Sequence, residues 1–408
     1  MKIRIITKAT FPEGMAATKR VKYISLASLK AGHEVEIFTE KSALLNNEQI
    51  GWHSTGSWEG VYYLLLRNKT PFNQYVRVIW IYIKSFLLVF KAIRGIKKVD
   101  VYVLYLDRFW PQMLVLLFAK MYRKKVVYEL VEYPYATEGQ FLTNLNSVRK
   151  LLRALTLNVL FPLLDGFDVI SDNLIEVANK YRSSKSIVNY TPILTDIKLW
   201  NRAIKENPSK MKEDYLFHAG ALSENKDGIV NFMKVFALVN NKRRGLGQKS
   251  IKLGLTNMST KPQTLSKLKQ IIAENDLEDD IFITGYLQTE ELIKYQNNAA
   301  VLLFNKPNNR QNFYNFPTKL ADYLLANAPL VVATDDYEMN KYLFHGINAI
   351  VTKPDDVDAM ANAVLKLLND PELSRKIANN GRETVETSFD YRNYIDRYDR
   401  FYKEVVSK

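Results

Sequence analysis

The chain has 408 residues, 47% of them hydrophobic and 25% charged, which excludes a disordered or fibrous protein and leaves room for two domains, each with its own core. Cysteine is absent, so disulfides, thiolate catalysis and cysteine-held metals are excluded, and a reducing compartment is the natural setting. The net charge of +14, from 57 Lys and Arg against 43 Asp and Glu, favours anionic partners such as nucleotides, phosphates or acidic lipid head groups.

The opening MKIRIITKAT has no apolar h-region after a charged start, so no secretory signal is expected. Residues 2–7 read as a strand. The loop after it, KATFPEGMAAT, carries Gly14 with small neighbours Ala16 and Ala17, which would let a ligand approach the backbone at a helix N-terminus. Its spacing is not GxGxxG, which counts against a nicotinamide or flavin dinucleotide. A helix from about Thr18 to Ala31 follows, with Val21, Ile24, Ala27, Ser28 and Ala31 on one stripe. Gly32 stops it, and His33 is a structural residue at the turn into the next strand.

Further β-rich runs fall at 34–39, 61–66, 100–106, 124–130, 168–171 and 186–189. The most apolar run, 78–93 (VIWIYIKSFLLVFKAI), is broken by Lys84 and shorter than the roughly 20 residues a membrane span needs, so a buried or interfacial helix is expected. Asp107 and Arg108 end one strand; Glu132, before Pro134, ends the next.

A polar stretch, 201–214 (NRAIKENPSKMKED), reads as a linker. The alternation then restarts, with strands expected at 215–219, 250–255, 280–284, 299–304, 329–334 and 349–351. Ile229, Phe232, Met233, Phe236 and Val239 give one helix an apolar face, and Val357, Met360, Ala361, Val364 and Leu368 another. The tail from Phe389, rich in tyrosine and charge, reads as a terminal helix. Two such arrays imply an α/β protein of two doubly wound Rossmann-like domains facing one another, with ligands expected in the cleft between them.

Two segments of the second array suit a diphosphate. In GALSENKDG (220–228), Lys226 precedes a helix expected to begin near Asp227, so a cation and free N–H groups converge. In NFYNFPTKLADYLLANAPLVVAT (312–334), Pro317 fits the first helical position, which puts Thr318, Lys319 and Leu320 in a first turn with unpaired N–H groups. Asp322, one turn on, would accept from ribose hydroxyls. Asp356-Val-Asp358 matches a D-x-D string but sits where a helix begins, so it is read as a cap and no metal site is expected. No RNA-binding aromatic motif, zinc-finger spacing or basic zipper is present, so no nucleic-acid partner is expected.

The second segment resembles the signature of family-4 retaining glycosyltransferases of the GT-B fold, whose donor helix carries an acidic pair spaced E-x7-E. GALSENKDG is similar to their G-R-L-x-x-x-K-G loop, and FPEGMAATKRV followed by AGHEVEIFT to their opening. A weaker likeness runs through ENDLEDDIFITGYLQTEEL to near Phe389. The resemblance implies a nucleotide-diphosphate sugar as donor substrate, no separate cofactor, and a glycan or lipid-linked acceptor. Lys226, Thr318 and Lys319 would contact the phosphates, Asp322 the ribose, and the loop Gly285-Tyr286-Leu287 the base. Three departures stand out: Ala221 replaces the usual diphosphate arginine, Tyr314 the first glutamate, and Asp322 shortens the second. The histidine that many relatives place near the end of strand 124–130 is also missing, since the four histidines are His33, His53, His218 and His345. Glu132 is the candidate to contact the reacting sugar or orient the acceptor, and Asp107 and Arg108 to line the acceptor side.

On this reading residues 1–200 form an acceptor-side domain, with a helix at about 390–408 packing back on it. Residues 201–389 form the nucleotide-sugar domain. Sugar transfer with retention and without metal is expected, in the cytoplasm and peripherally on the inner face of the cell membrane. A nucleotide-sugar 2-epimerase and a non-catalytic nucleotide-sugar-binding subunit are the alternatives.

Overall fold

The computed structural model describes residues 1–42, 55–66, 74–135, 146–206, 214–220 and 222–408. His53, Ala221 and residues 207–213 lie outside the described residues. The chain divides into two compact units, Met1–Leu194 with Tyr391–Lys408, and Thr195–Asp390.

The first unit holds a sheet in the order β3-β4-β2-β1-β5-β6-β7-β8. Its strands are β1 (Lys2–Phe11), β2 (Glu34–Ser42), β3 (Thr55–Trp58), β4 (Val61–Leu65), β5 (Val101–Tyr105), β6 (Lys125–Leu130), β7 (Gly166–Val169) and β8 (Ile187–Tyr190). All neighbours pair in parallel except β3, an antiparallel edge on β4 that the sequence reading did not separate. The crossovers are α1 (Ala16–Lys30), α2 (Gln74–Ile93), α3 (Phe109–Met121), α4 (Asn146–Leu155) and α5 (Asp172–Tyr181). Strands such as KVVYEL are buried on both faces, which is why they read as unbroken apolar runs and not as alternation. Gly32, at φ +84°, ends α1 in the left-handed region where a side chain would be strained.

The second unit holds a wholly parallel sheet, β11-β10-β9-β12-β13-β14. Its strands are β9 (Tyr215–His218), β10 (Lys252–Leu255), β11 (Ile281–Ile283), β12 (Val301–Asn305), β13 (Leu330–Ala333) and β14 (Ile350–Thr352). The unit opens with α6 (Ile197–Glu206), then α7 (Glu224–Asp227), α8 (Ile229–Gly245), α9 (Pro262–Glu274), α10 (Thr289–Asn297), α11 (Arg310–Tyr314) and α12 (Lys319–Leu325). It closes with α13 (Tyr337–Asn340), α14 (Val357–Asn369) and α15 (Pro371–Ser388). The segment expected to be a linker is therefore helical as far as Glu206. Its polar composition hid an amphipathic helix that buries Trp200 and Ala203 and packs on α10.

The terminal helix α16 (Ile395–Ser407) belongs to the first unit. It lies on α1 and buries Tyr398, Phe401, Tyr402 and Val405. His33 sits at the α1–β2 turn against this helix, its Nε2 3.6 Å from Asp399 and its ring edge-on to Tyr402, as a structural residue would.

Candidate active site

In each sheet strand order reverses once beside the first strand, between β9 and β12 in the second unit and between β1 and β5 in the first. Open α/β sheets bind ligands outside the carboxyl ends of their strands at such a reversal. In the second unit β9 ends there in His218-Ala219-Gly220 and β12 in Asn305-Lys306-Pro307. Lys319, the first residue of α12, reaches into this corner. Its ammonium lies 2.6 Å from Asp227 Oδ1 and 3.4 Å from His218 Nε2. Gly220 beside it has φ +115°, a backbone conformation in which a side chain would be strained, so the turn favours glycine.

His218 is fully buried, and its Nδ1 lies 3.4 Å from the Leu303 carbonyl. A ring that accepts from an ammonium on Nε2 must donate from Nδ1, so these contacts suit the neutral imidazole protonated on Nδ1. Burial, reinforced by Lys319, pushes the His218 pKa down to about 3. Tyr323 completes the corner by accepting the Ala219 N–H at 2.8 Å. The next residue along β12, Lys306, is a buried clamp: it donates to the Asn315 carbonyl at 2.9 Å and pairs with Asp336. Asn312 donates to the Asn225, Lys226 and Pro307 carbonyls, which ties the segment before α12 to α7.

Two expectations about this corner need correction. Pro317 is not the first helical residue: Thr318 is the N-cap and α12 begins at Lys319, since the Leu320 N–H bonds back to the Pro317 carbonyl. Nor does the helix after Lys226 begin near Asp227. Lys226 is exposed inside the one-turn helix α7, Gly228 breaks the chain at φ +53°, and α8 starts only at Ile229. The Lys226 N–H is taken by Ser223 Oγ and the Val230 N–H by Glu224 Oε2. Of the other candidates, Leu320 and Asp322 are buried on α12 and Tyr314 is half-buried at the end of α11. Gly285 (φ +77°) and the exposed Tyr286 follow β11 at the same sheet edge, two strands from β9 and so roughly 10 Å along it. Asp356 caps α14 through the Ala359 N–H.

Residues 201–384, nearly the whole of this unit, match the family model described as glycosyl transferases group 1. The chain is a glycosyltransferase. None of the curated proteins matches it. Among solved structures it is similar to sucrose-phosphate synthase from Thermosynechococcus elongatus, at 15% identity and a TM-score of 0.72 over 100% of this chain and 99% of that one. It is also similar to Anabaena HepE in complex with UDP-glucose (15%, 0.65, 100% and 99%). A third is the α,α-trehalose 6-phosphate synthase from Burkholderia multivorans (11%, 0.65, 100% and 97%). Two parallel Rossmann-like sheets in these likenesses make the fold GT-B.

In the glycosyltransferase's first unit, Gly14 and Glu132 lie at the carboxyl edge of the sheet. A Cβ on Gly14 would overlap the Thr10 and Thr18 hydroxyls, so this glycine is required by the loop's own packing. Glu132 is half-buried past the end of β6. Asp107 is exposed and meets Lys8 at 2.7 Å across the β1–β5 reversal, while Arg108 pairs with Glu40 at 2.6 Å. Sequence reasoning missed Asp227, His218, Lys306 and Glu40. Asp227 was read as a helix start and His218 as an unmatched histidine; a histidine closing an otherwise apolar strand was the available signal.

Proposed function

We propose that this glycosyltransferase takes its sugar from a nucleotide-diphosphate donor held at the β9–β12 corner. It passes the sugar, with retention at the anomeric carbon, to a glycan or lipid-linked acceptor. The observation that carries the reading is the Lys319 ammonium, fixed by Asp227 and His218 over a glycine without a side chain. An ammonium has three donors, so among the described residues one remains for a ligand. Asp227 balances its charge until a diphosphate arrives, and the buried neutral His218 adds no competing charge of its own. As the sugar leaves, negative charge grows on the β-phosphate. A preorganised cation stabilises that charge more than it stabilises the bound donor, and this difference is what accelerates transfer. Lys226, one residue from Asp227, supplies a second cation from the α7 side. That HepE is seen with UDP-glucose supports a nucleotide sugar of this kind.

The reading requires no divalent cation, because Lys319 and Lys226 supply the positive charge that a bound metal would supply at the phosphates. Turnover is tested with a panel of nucleotide sugars and oligosaccharide or polyprenyl-phosphate acceptors, with and without chelator, and the product anomer is assigned by NMR. The expected outcome is transfer with retention, unchanged by chelator. Isomerised donor without acceptor would make the protein an epimerase. Donor affinity with no turnover would make it a non-catalytic subunit, and rescue by Mg²⁺ after chelation would overturn metal independence.

A further inference from the structure

The first unit carries more apolar surface than its core consumes. On α2, Leu88, Val89 and Ala92 are fully buried, and on α3 so is Ala119, with Val115 and Leu116. These faces complete the packing against the sheet. On the outward side, Ile83, Leu87 and Phe90 follow one another at helical spacing along α2, and Trp110, Leu117 and Met121 along α3. Phe90 is 52% exposed, Trp110 56% and Met121 74%. Scattered exposed apolar residues are ordinary, but α2 and α3 pack side by side, which sets two apolar stripes on neighbouring helices.

The charge around the patch says what covers it. Both helices are crossovers into parallel strands and run the same way, so their C-terminal ends meet; Lys124 Nζ donates to the Lys97 carbonyl there at 3.0 Å. From Lys91 to Lys125 the sequence holds nine Lys and Arg against two Asp. Arg94, Lys97, Lys98 and Arg123 are all exposed at that end, while Lys120, also exposed, is paired with Asp165 at 2.9 Å. Asp100 is engaged with Lys124 and Asp107 with Lys8, so neither offsets the exposed cations fully. An apolar stripe with aromatic residues, rimmed by more cations than acids, matches a bilayer bearing anionic head groups. Among the described residues no helix is long and apolar enough to cross a membrane, so the contact is one of lying on it.

We infer that the outer faces of α2 and α3 form a docking surface for an anionic phospholipid bilayer, with Leu87, Phe90, Trp110, Leu117 and Met121 entering the acyl boundary and the basic ends meeting phosphate head groups. This goes beyond the donor reading and does not depend on it. The test is co-sedimentation of the full chain with phosphatidylglycerol vesicles and with phosphatidylcholine vesicles, at about 0.1 M and about 1 M salt. Binding is expected to phosphatidylglycerol, falling at least roughly tenfold at the higher salt. Brominated acyl chains should quench tryptophan emission, and Trp110→Phe should remove most of that quenching. The triple variants Leu87→Ser/Leu117→Ser/Met121→Ser and Arg94→Glu/Lys97→Glu/Arg123→Glu change exposed side chains and should each abolish sedimentation. If either fails to fold, the wild-type lipid, salt and quenching results decide alone. Equal binding to both lipids, no binding, or no quenching would overturn the inference. So would self-association lost in the serine variant, which would make a second copy the occupant.

Discussion

Each unit places a cation near the carboxyl ends of its parallel strands, Arg20 between two carboxyl groups and Lys319 between one carboxylate and a histidine, and the two arrangements differ in what they leave open. In the first unit Arg20 on α1 donates through Nε to Glu129 and through Nη2 to Asp168, both at 3.1 Å, and through Nη1 to the Thr191 and Pro192 carbonyls. Its side chain is 4% exposed, those of Glu129 and Asp168 0% and 1%. Tyr398 of α16 donates to Asp168 Oδ2 at 2.6 Å, and Asn189 donates to Asp168 Oδ1 at 2.9 Å. Burial and the adjacent Asp168 carboxylate push the Glu129 carboxyl well above the usual range, so the cluster approaches charge balance without solvent. In the second unit Lys319 is 18% exposed and Asp227 12%, and among the described residues the lysine keeps a donor to spare. One cation locks a terminal helix in place, and the other is the one proposed to meet an anion. Burial and unused hydrogen-bonding capacity make the difference, not charge.

The comparison breaks most visibly if the sealed cluster is cut. Arg20→Ala would strand two buried carboxyl groups and two carbonyls, and the loss of one partner from a buried ion pair costs about 3–5 kcal/mol. Chemical denaturation should show that loss, with the transition of the first unit shifted and nucleotide binding at the second unit retained below it. A loss under about 1 kcal/mol would mean that the cluster is not a structural lock.

A smaller effect separates the floor of the open site from its rim. His218 stays neutral in the folded protein down to about 3, whereas in the unfolded chain it protonates near 6.5. Between those values the unfolded state binds more protons, so the contribution of His218 is fully present above pH 6.5 and drains away as pH falls toward 3. The slope is at most about 1.4 kcal/mol per pH unit. Denaturation of wild type and His218→Phe across pH 7 to 4 should therefore give a shallower acid loss in the variant, about one proton's worth. Parallel slopes would show that His218 is not held neutral.

Apolar runs spaced by helical stripes carried both sheets, because strands buried on two faces stand out as unbroken apolar runs. That Lys319 opens a helix was legible too, to within two residues, from the proline and threonine before it. The partners were not. Asp227 and His218 lie 92 and 101 residues from Lys319, and only the closure of β9 against β12 brings them together. Arg20 was invisible for another reason. It flanks the apolar stripe of α1, where a charged residue ordinarily points to water, and its burial depends on acceptors from β6, β7 and the chain after β8. Helix α6 failed as a reading because two buried residues, Trp200 and Ala203, anchor an otherwise polar segment.

The central claim is that Lys319 at the β9–β12 corner holds the donor diphosphate, and calorimetry of UDP binding to Lys319→Ala tests it most directly, with Lys226→Ala as the companion. Removing a charge-assisted hydrogen bond at a partly enclosed site should raise Kd by about 10- to 100-fold for Lys319→Ala. The exposed Lys226 should give a smaller rise, since solvent screens it. If wild type binds UDP and Lys319→Ala binds it equally well, the diphosphate does not sit at this corner and the account fails.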